Sequence, residues 1–178
     1  ALLQTADLSK PLRVLDVSAA PGGKSTHIQS LLSADSLLVS NEVIRSRTAI
    51  LKDNMIKWGG MNVVVTSNDP NDFAKLENYF DVIVADVPCS GSGLFRKDPL
   101  AIQEWSEDNV TLCARRQQRI LAGAWPALKK NGVLIYSTCS YSQQEDEEIA
   151  AWMQQEMGAE ALTLTTPEHW GITATGNG

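Results

Sequence analysis

The chain has 178 residues, 21 acidic against 15 basic, and a net charge of −6. That length supports one domain with a working core, and 43% hydrophobic with 20% charged residues is globular composition, which excludes a disordered chain. No apolar run is long enough to span a membrane, the start is not a secretory signal, and three cysteines without a Cys-x-x-Cys pair argue against a disulfide framework or a structural zinc site.

Strands and helices alternate along the chain. Leu12 to Val17 reads as a strand, and Gly23 to Leu32 as a helix that opens on a glycine turn. Leu37 to Ser40 is a second strand ending at Asn41-Glu42. Ile44 to Trp58 is a helix stopped by Gly59-Gly60. Asn62 to Thr66 is a third strand, followed by the turn signal Ser67-Asn68-Asp69-Pro70 and a short helix from Asn71 to Asn78. Phe80 to Ala85 is a fourth strand. A glycine-containing loop then leads to helices at Pro99 to Trp105 and Asn109 to Lys129, the second charged at its start by Glu107-Asp108 more clearly than capped by Ser106. Asn131-Gly132 reads as its C-cap turn. Val133 to Tyr136 is a fifth strand, and Ser142 to Met157 a helix. Glu145, Asp146, Glu147 and Glu148 stand in the first turns of that helix, where the dipole favours negative charge. Ala161 to Thr165 is a candidate sixth strand, and the polar tail Thr173 to Gly178 has the form of an opening hairpin. Repeated βα units with right-handed crossovers make a mostly parallel, doubly wound α/β sheet.

Ligands bind outside the carboxyl ends of such strands, so the loops there hold the candidate chemistry. Cys89 lies in Asp86-Val87-Pro88-Cys89-Ser90-Gly91-Ser92-Gly93, after strand four. Cys139 lies in Tyr136-Ser137-Thr138-Cys139-Ser140, after strand five. A thiol at a catalytic rim is a nucleophile, a metal ligand or a redox centre. Cys113 sits inside a helix beside Leu112 and Ala114 and reads as a small buried hydrophobe. Trp58, Trp105, Trp125 and Trp152 read as packing residues, and Phe95 beside Arg96 and Lys97 as the better base-stacking candidate. The acidic balance weighs against nucleic-acid binding. The basic residues are clustered, however, at Arg96-Lys97 and at Arg115, Arg116 and Arg119, so a local positive rim remains open.

Strand one runs into Asp16-Val17-Ser18-Ala19-Ala20-Pro21-Gly22-Gly23-Lys24-Ser25. Glycines here let the backbone approach a ligand and present amides at a helix start. Gly23-Lys24-Ser25 ends like a phosphate-binding P-loop, but Ser18 stands where its first glycine belongs. The segment does not match G-x-G-x-x-G either. Glu42 ends strand two and is placed to accept both ribose hydroxyls of an adenosine. Asp69 follows strand three, in reach of an adenine amine, and Asp86 ends strand four. Acids at three consecutive strand ends suit a cationic adenosine ligand without phosphates, such as S-adenosylmethionine, and would repel a triphosphate.

Three segments, Ser18 to Lys24, Asp86 to Gly93 and Tyr136 to Ser140, resemble the RNA (cytosine-5) methyltransferases of the Nop/Sun group. Within it the chain is most similar to the bacterial ribosomal-RNA enzymes of the RsmF type. The resemblance runs from about Leu12 to Ala150, with the motifs in order and at the right spacings. It implies a Rossmann-like methyltransferase fold, S-adenosylmethionine as cofactor and a cytosine of RNA, ribosomal RNA above all, as substrate. It implies that Ser18, Ala19, Ala20, Pro21, Gly22, Gly23 and Lys24 hold the methionine part of the cofactor, with Glu42, Asp69 and Asp86 as further contacts. It makes Cys139 the nucleophile and Cys89 the residue that assists product release. Ser18 stands where many members carry a small residue or cysteine.

The chemistry of such enzymes accounts for the residue types. Thiolate attack at C6 of cytosine makes C5 nucleophilic. A carboxyl such as Asp86 at the base edge eases the charge that develops at N3. After methylation the C5 proton must leave and the C6–S bond must break, the step for which a second thiol, Cys89, is useful as base or as an aid to elimination. Lys24 either orients Asp86, lowers a thiol pKa or caps the glycine loop. Residues 1–178 are expected to be a methyltransferase core without the RNA-recognition segment and C-terminal domains of the family, acting as a cytoplasmic monomer with RNA as partner, no membrane and no metal. A P-loop-like NTPase and a non-catalytic RNA-binding module of the same fold are the competing readings.

Overall fold

The computed structural model describes residues 6–164 and 166–173, which form two compact units. One, Ala6–Asp86 with Ile120–Tyr136, carries the sheet. The other contains Val87–Arg119 and the described residues from Ser137 onward.

The sheet is built from β1 (Arg13–Asp16), β2 (Leu37–Asn41), β3 (Val63–Thr66), β4 (Phe80–Asp86) and β5 (Leu128–Ser137), in the order β3-β2-β1-β4-β5. Parallel ladders pair Asp16 with Ser40 and with Val84, and Asn41 with Thr66. The strand order reverses between β1 and β4, which is where an open parallel sheet forms a crevice at its carboxyl edge. Val14, Leu15, Leu38, Phe80, Val82 and Ile83 are almost wholly shut from water. Each such side chain contributes about 1.5–3 kcal/mol by burial. The near-continuous apolar runs of β1 and β4 follow from burial on both faces.

Helix α1 (Gly23–Leu31) follows β1, and α2 (Arg45–Trp58) follows β2. Helix α2 ends at Gly59 in the left-handed conformation, as Gly59-Gly60 predicts. The short helix expected at Asn71 to Asn78 is a 3-10 turn, Pro70–Lys75, with Asp69 as its N-cap. Helix α3 (Leu100–Glu104) lies in the second unit, α4 (Glu107–Ala124) begins there and ends in the sheet unit, and α5 (Glu147–Met157) lies in the second unit.

Four readings need correction. The helix expected to reach Lys129 ends at Ala124, because Pro126 lacks an N–H and turns Trp125–Ala127 into a 3-10 segment; Lys129 lies in β5. Asn131-Gly132 is therefore no helix cap. Asn131 takes a left-handed conformation within the β5 segment, and a Cβ on Gly132 would lie 3.0 Å from the Asp81 carbonyl oxygen. The start of α4 is as read: Glu107 and Asp108 stand in its first turn, and the Ser106 hydroxyl caps it by accepting the Asn109 N–H at 3.1 Å. Finally, α5 starts at Glu147 rather than Ser142, and Glu145 ends a separate 3-10 turn, Gln143–Glu145. Residues 161–164 form no strand; Thr165 and the tail from 174 to 178, to which the sixth strand and hairpin were assigned, lie outside the described residues.

Candidate active site

In the sheet unit, the loop after β1 runs from Val17 to Gly22 and opens α1. Its shape is fixed by backbone and buried polar groups. The Ala19 N–H donates to the Asn41 carbonyl at 2.8 Å, and Asn54 donates to the Pro21 carbonyl at 2.8 Å. Gly22 at the helix start has φ of 115°, a region that suits glycine. Beneath the loop, Asp16 is completely buried. Its Oδ2 accepts the Ser25 hydroxyl at 2.7 Å, and Ser40 donates to Ser25 in turn at 2.9 Å. Asp16 Oδ1 is buried without a hydrogen-bond partner. Burial raises the Asp16 pKa to about 6, against the lowering effect of Ser25; the charge of Asp86 raises it further and Lys24 lowers it.

Glu42, at the end of β2, is also shut from water. Its Oε1 accepts the Ile44 N–H at 3.0 Å, while Oε2 is buried without a hydrogen bond. Arg47 stands over it, with Nη1 3.5 Å from Oε2 and Nη2 donating to the Ala20 carbonyl at 2.8 Å. One guanidinium thus spans the acid of β2 and the loop after β1. Asn41 ties the next pair of loops, donating to the Val17 and Asn68 carbonyls and accepting from Thr66 and the Asn68 N–H. Asp69 Oδ1 accepts the Asn71 N–H at 3.0 Å and its side-chain amide at 2.8 Å, so this oxygen shapes the 3-10 turn. Lys24 Nζ meets Asp86 Oδ2 at 2.7 Å, the contact that an orienting role requires. Ser18, Ala19, Ala20, Pro21, Gly22, Gly23, Lys24, Glu42, Asp69 and Asp86 are thus all carried at the carboxyl edge of β1–β4 or on the loops that leave it.

These residues fit a cationic nucleoside. A buried Glu42 oxygen without a donor matches a ribose hydroxyl, and a buried Asp16 oxygen without a donor matches positive charge or an N–H group. Lys24, held by a carboxylate, is not presented to a phosphate as a P-loop lysine would be.

In the second unit the two thiols come together. Cys89 Sγ and Cys139 Sγ are 3.1 Å apart, closer than ordinary packing and longer than a disulfide, which is about 2.05 Å. The loops are laced by backbone bonds: Val87 N–H to the Ser137 carbonyl at 3.1 Å, and Gly93 N–H to the Cys139 carbonyl at 2.7 Å. A Cβ on Gly93 would overlap that carbonyl oxygen, so only glycine permits the approach. Cys139 is exposed and Cys89 half-buried. Burial, and the hydrogen bond shared with Cys139, push the Cys89 thiol up to about 12. Cys89 therefore keeps its proton at neutral pH and is the natural donor of the pair, toward the sulfur of Cys139. Thr138 donates to Asp146 at 2.6 Å, and Thr138 Oγ1 accepts the Ser140 N–H at 3.0 Å. Burial raises the Asp146 pKa.

Sequence reasoning missed Asp16, Asn41, Arg47, Gln117 and Glu145. Asp16 had a signal, an acid inside the apolar run Val14-Leu15-Asp16-Val17. Glu145 had none, because it sits in a string of acids that reads as an exposed helix start. Among the aromatics, Trp58 is 54% exposed and is no core residue; it borders an open cleft of about 270 Å³ with Gly22, Gly23, Thr26, Asn54 and Lys57. Phe95 packs edge-on against Trp105, with centroids 6.4 Å apart. Cys113 is buried, as expected. No described helix is long and apolar enough to cross a membrane.

A family model described as 16S rRNA methyltransferase RsmB/F matches residues 3–177. The ribosomal RNA small subunit methyltransferase F of Pectobacterium atrosepticum is 42% identical over 145 residues, covering 81% of this chain and 30% of that protein. The protein of the same name from Escherichia coli K12 is 38% identical over 151 residues, covering 84% of this chain and 32% of its own length. The chain thus spans about a third of these relatives. The structure of NSun6 from Pyrococcus horikoshii with SFG superposes with a TM-score of 0.75 at 29% identity, covering 84% of this chain and 38% of that one. A SAM-dependent O-methyltransferase of Thermotoga maritima, at 16% identity, shares the fold with a TM-score of 0.60 and covers 85% of this chain and 46% of its own.

The raised pKa of Asp16 has a consequence for stability. Unfolded, the group titrates near 3.8; folded, near 6. Between these values the folded chain holds more protons than the unfolded one, so stability falls as pH rises through that window and levels off above it. Asp16→Asn keeps an acceptor for Ser25 and removes the ionisation. Its stability advantage over the wild type is expected to grow by about 3 kcal/mol between pH 3.5 and pH 7, read by urea unfolding at both pH values. An advantage that does not change with pH would show that Asp16 does not titrate in this window.

Proposed function

The chain belongs to the 16S rRNA methyltransferase RsmB/F family, and we propose that it transfers a methyl group from S-adenosylmethionine to C5 of a cytosine in ribosomal RNA, through a covalent adduct of Cys139 at C6. The observation that carries this reading is the thiol pair: an exposed Cys139 with the protonated Cys89 thiol 3.1 Å from it. A lone nucleophilic cysteine would not need such a partner.

Glu42 Oε2 is the acceptor for the ribose, with Arg47 yielding its place over the acid. Asp16, buried below the glycine loop, favours a positively charged ligand there. S-adenosylmethionine, when bound, supplies an electrophilic methyl group. The Cys139 thiolate adds to C6, and the electron pair of the 5,6 bond moves into the ring, making C5 nucleophilic and placing charge at N3. Asp86, its orientation set by Lys24, hydrogen-bonds or protonates N3. Once C5 carries the methyl group, the C5 proton passes to solvent and the C6–S bond breaks, returning its electron pair to sulfur. Cys89 offers its S–H as a hydrogen bond to that departing sulfur and keeps the proton. Of its two candidate roles this one agrees with a thiol that holds its proton to about 12.

An NTPase reading has lost its support, since Lys24 is committed to Asp86 and the family is one of methyltransferases. A non-catalytic module has no feature in its favour, as Cys89, Cys139 and Asp86 are all retained.

Three outcomes test the assignment. Glu42→Ala should weaken S-adenosylhomocysteine binding at least about tenfold in calorimetry while the fold persists, as expected for loss of a charge-assisted contact. An unchanged dissociation constant would remove Glu42 from the site. With labelled S-adenosylmethionine and ribosomal RNA, Cys139→Ala should abolish both methyl transfer and covalent capture of RNA. Cys89→Ala should accumulate a protein–RNA adduct on a denaturing gel, dependent on Cys139, and Cys89→Ser, which keeps a donor, should accumulate less. Trapping by Cys139→Ala instead would reverse the two roles, and full activity in both alanine variants would end the thiol mechanism.

A further inference from the structure

We propose that Glu145 is the positioning residue that sets the spacing of the two thiols. Its side chain is wholly buried at the end of the turn before α5. One oxygen, Oε1, accepts the Ser90 N–H at 2.8 Å and the Gln117 side-chain amide at 3.1 Å. The other, Oε2, accepts the Ser90 hydroxyl at 2.5 Å and the Ser140 hydroxyl at 2.7 Å. Ser90 follows Cys89 and Ser140 follows Cys139. A single carboxyl group therefore grips the residue next to each thiol.

Gln117, itself fully buried in α4, extends the grip by donating to the Pro88 carbonyl at 3.0 Å. Cys89 is thus held on both sides, through Pro88 and through Ser90. Burying an acid is costly unless donors surround it, and an apolar side chain would fill the same space without that cost. What an apolar residue cannot do is bond both thiol loops at once. Hydrogen bonds to a charged acceptor are short and directional, so they hold the sulfurs at a defined separation.

The inference rests on the thiol reading of the function, but its first test does not need the reaction. Phenylarsine oxide is chelated by two neighbouring thiols: two S–As bonds form, the two S–H protons leave with the arsenic-bound oxygen, and one water is released. Chelation at Cys89 and Cys139 reads their separation directly. Glu145→Ala is expected to weaken it by about tenfold or more, the scale of losing a buried hydrogen-bond partner. In Glu145→Gln, the amide oxygen can serve Ser90 N–H and Gln117 while its NH₂ donates to the two hydroxyls, so chelation should recover most of the loss. S-adenosylhomocysteine binding should stay within about twofold in both, as expected for a change away from its contacts. With RNA, Glu145→Ala should lower kcat while leaving the KM for RNA near its wild-type value.

Should Glu145→Ala not fold, Ser140→Ala decides the matter. It removes the link from Oε2 to the Cys139 loop, along with the bond that the Ser140 hydroxyl accepts from the Ser142 N–H, and should weaken chelation several-fold. Wild-type chelation by a folded Glu145→Ala, or by Ser140→Ala where Glu145→Ala does not fold, overturns the proposal. If chelation falls as expected but the cysteine variants methylate normally, the positioning role stands and the thiol mechanism fails.

Discussion

A carboxyl group taken out of water must be given donors, and three acids of this chain live under that constraint. Asp16, Glu42 and Glu145 are all shut from solvent. They meet the constraint in different ways. Asp16 and Glu42 each have one oxygen bonded and one buried without a hydrogen bond, that of Glu42 facing Arg47 at 3.5 Å. Glu145 has donors on both oxygens. An acid that is left half-satisfied is costly, and it can recover that cost only from a ligand that brings donors or positive charge. A fully bonded acid has nothing to gain from a ligand and acts on the residues that bond it. On the proposed reading, the same residue chemistry serves recognition in one case and positioning in the other.

The strand order explains where the first kind arises. Reversal between β1 and β4 leaves the ends of these strands without a loop crossing over them. Asp16 and Asp86 stand at those ends, and Lys24 on α1 reaches Asp86. The polar column Asp16–Ser25–Ser40 then joins β1, α1 and β2 inside an apolar sheet. Arg47, its side chain 45% exposed, links the buried acid of β2 to the loop after β1.

The thiol pair shows a division of labour set by environment. Two residues of identical chemistry differ because Cys89 is more buried than Cys139. Desolvation disfavours the thiolate, so Cys89 remains a donor while exposed Cys139 is free to meet a base. The backbone contact through Gly93 and the bonds of the Glu145 carboxyl to Ser90 and Ser140 join the two thiol loops.

Much was legible without coordinates. Alternating apolar runs and glycine turns located all five strands and the helices after β1 and β2, because burial on both faces leaves a local imprint on sequence. The motif segments Ser18 to Lys24, Asp86 to Gly93 and Tyr136 to Ser140 named the candidate residues, which the fold carries at strand ends among small, turn-forming neighbours. Where local rules compete, the sequence misled. Pro126 ended a helix that apolar periodicity carried on to Lys129, and Glu145 was lost in a run of acids whose neighbours do face water. Partnership was the part that sequence could not supply. That Arg47 covers Glu42, that Asn41 ties two loops and that one carboxyl bonds the residues after Cys89 and Cys139 are contacts between segments up to 55 residues apart. The chain's pattern therefore determined which groups stand at the strand ends. Only the tertiary structure decided which of them are satisfied by the protein and which are left for a ligand, because satisfaction is a property of distance and burial and not of spacing along the chain.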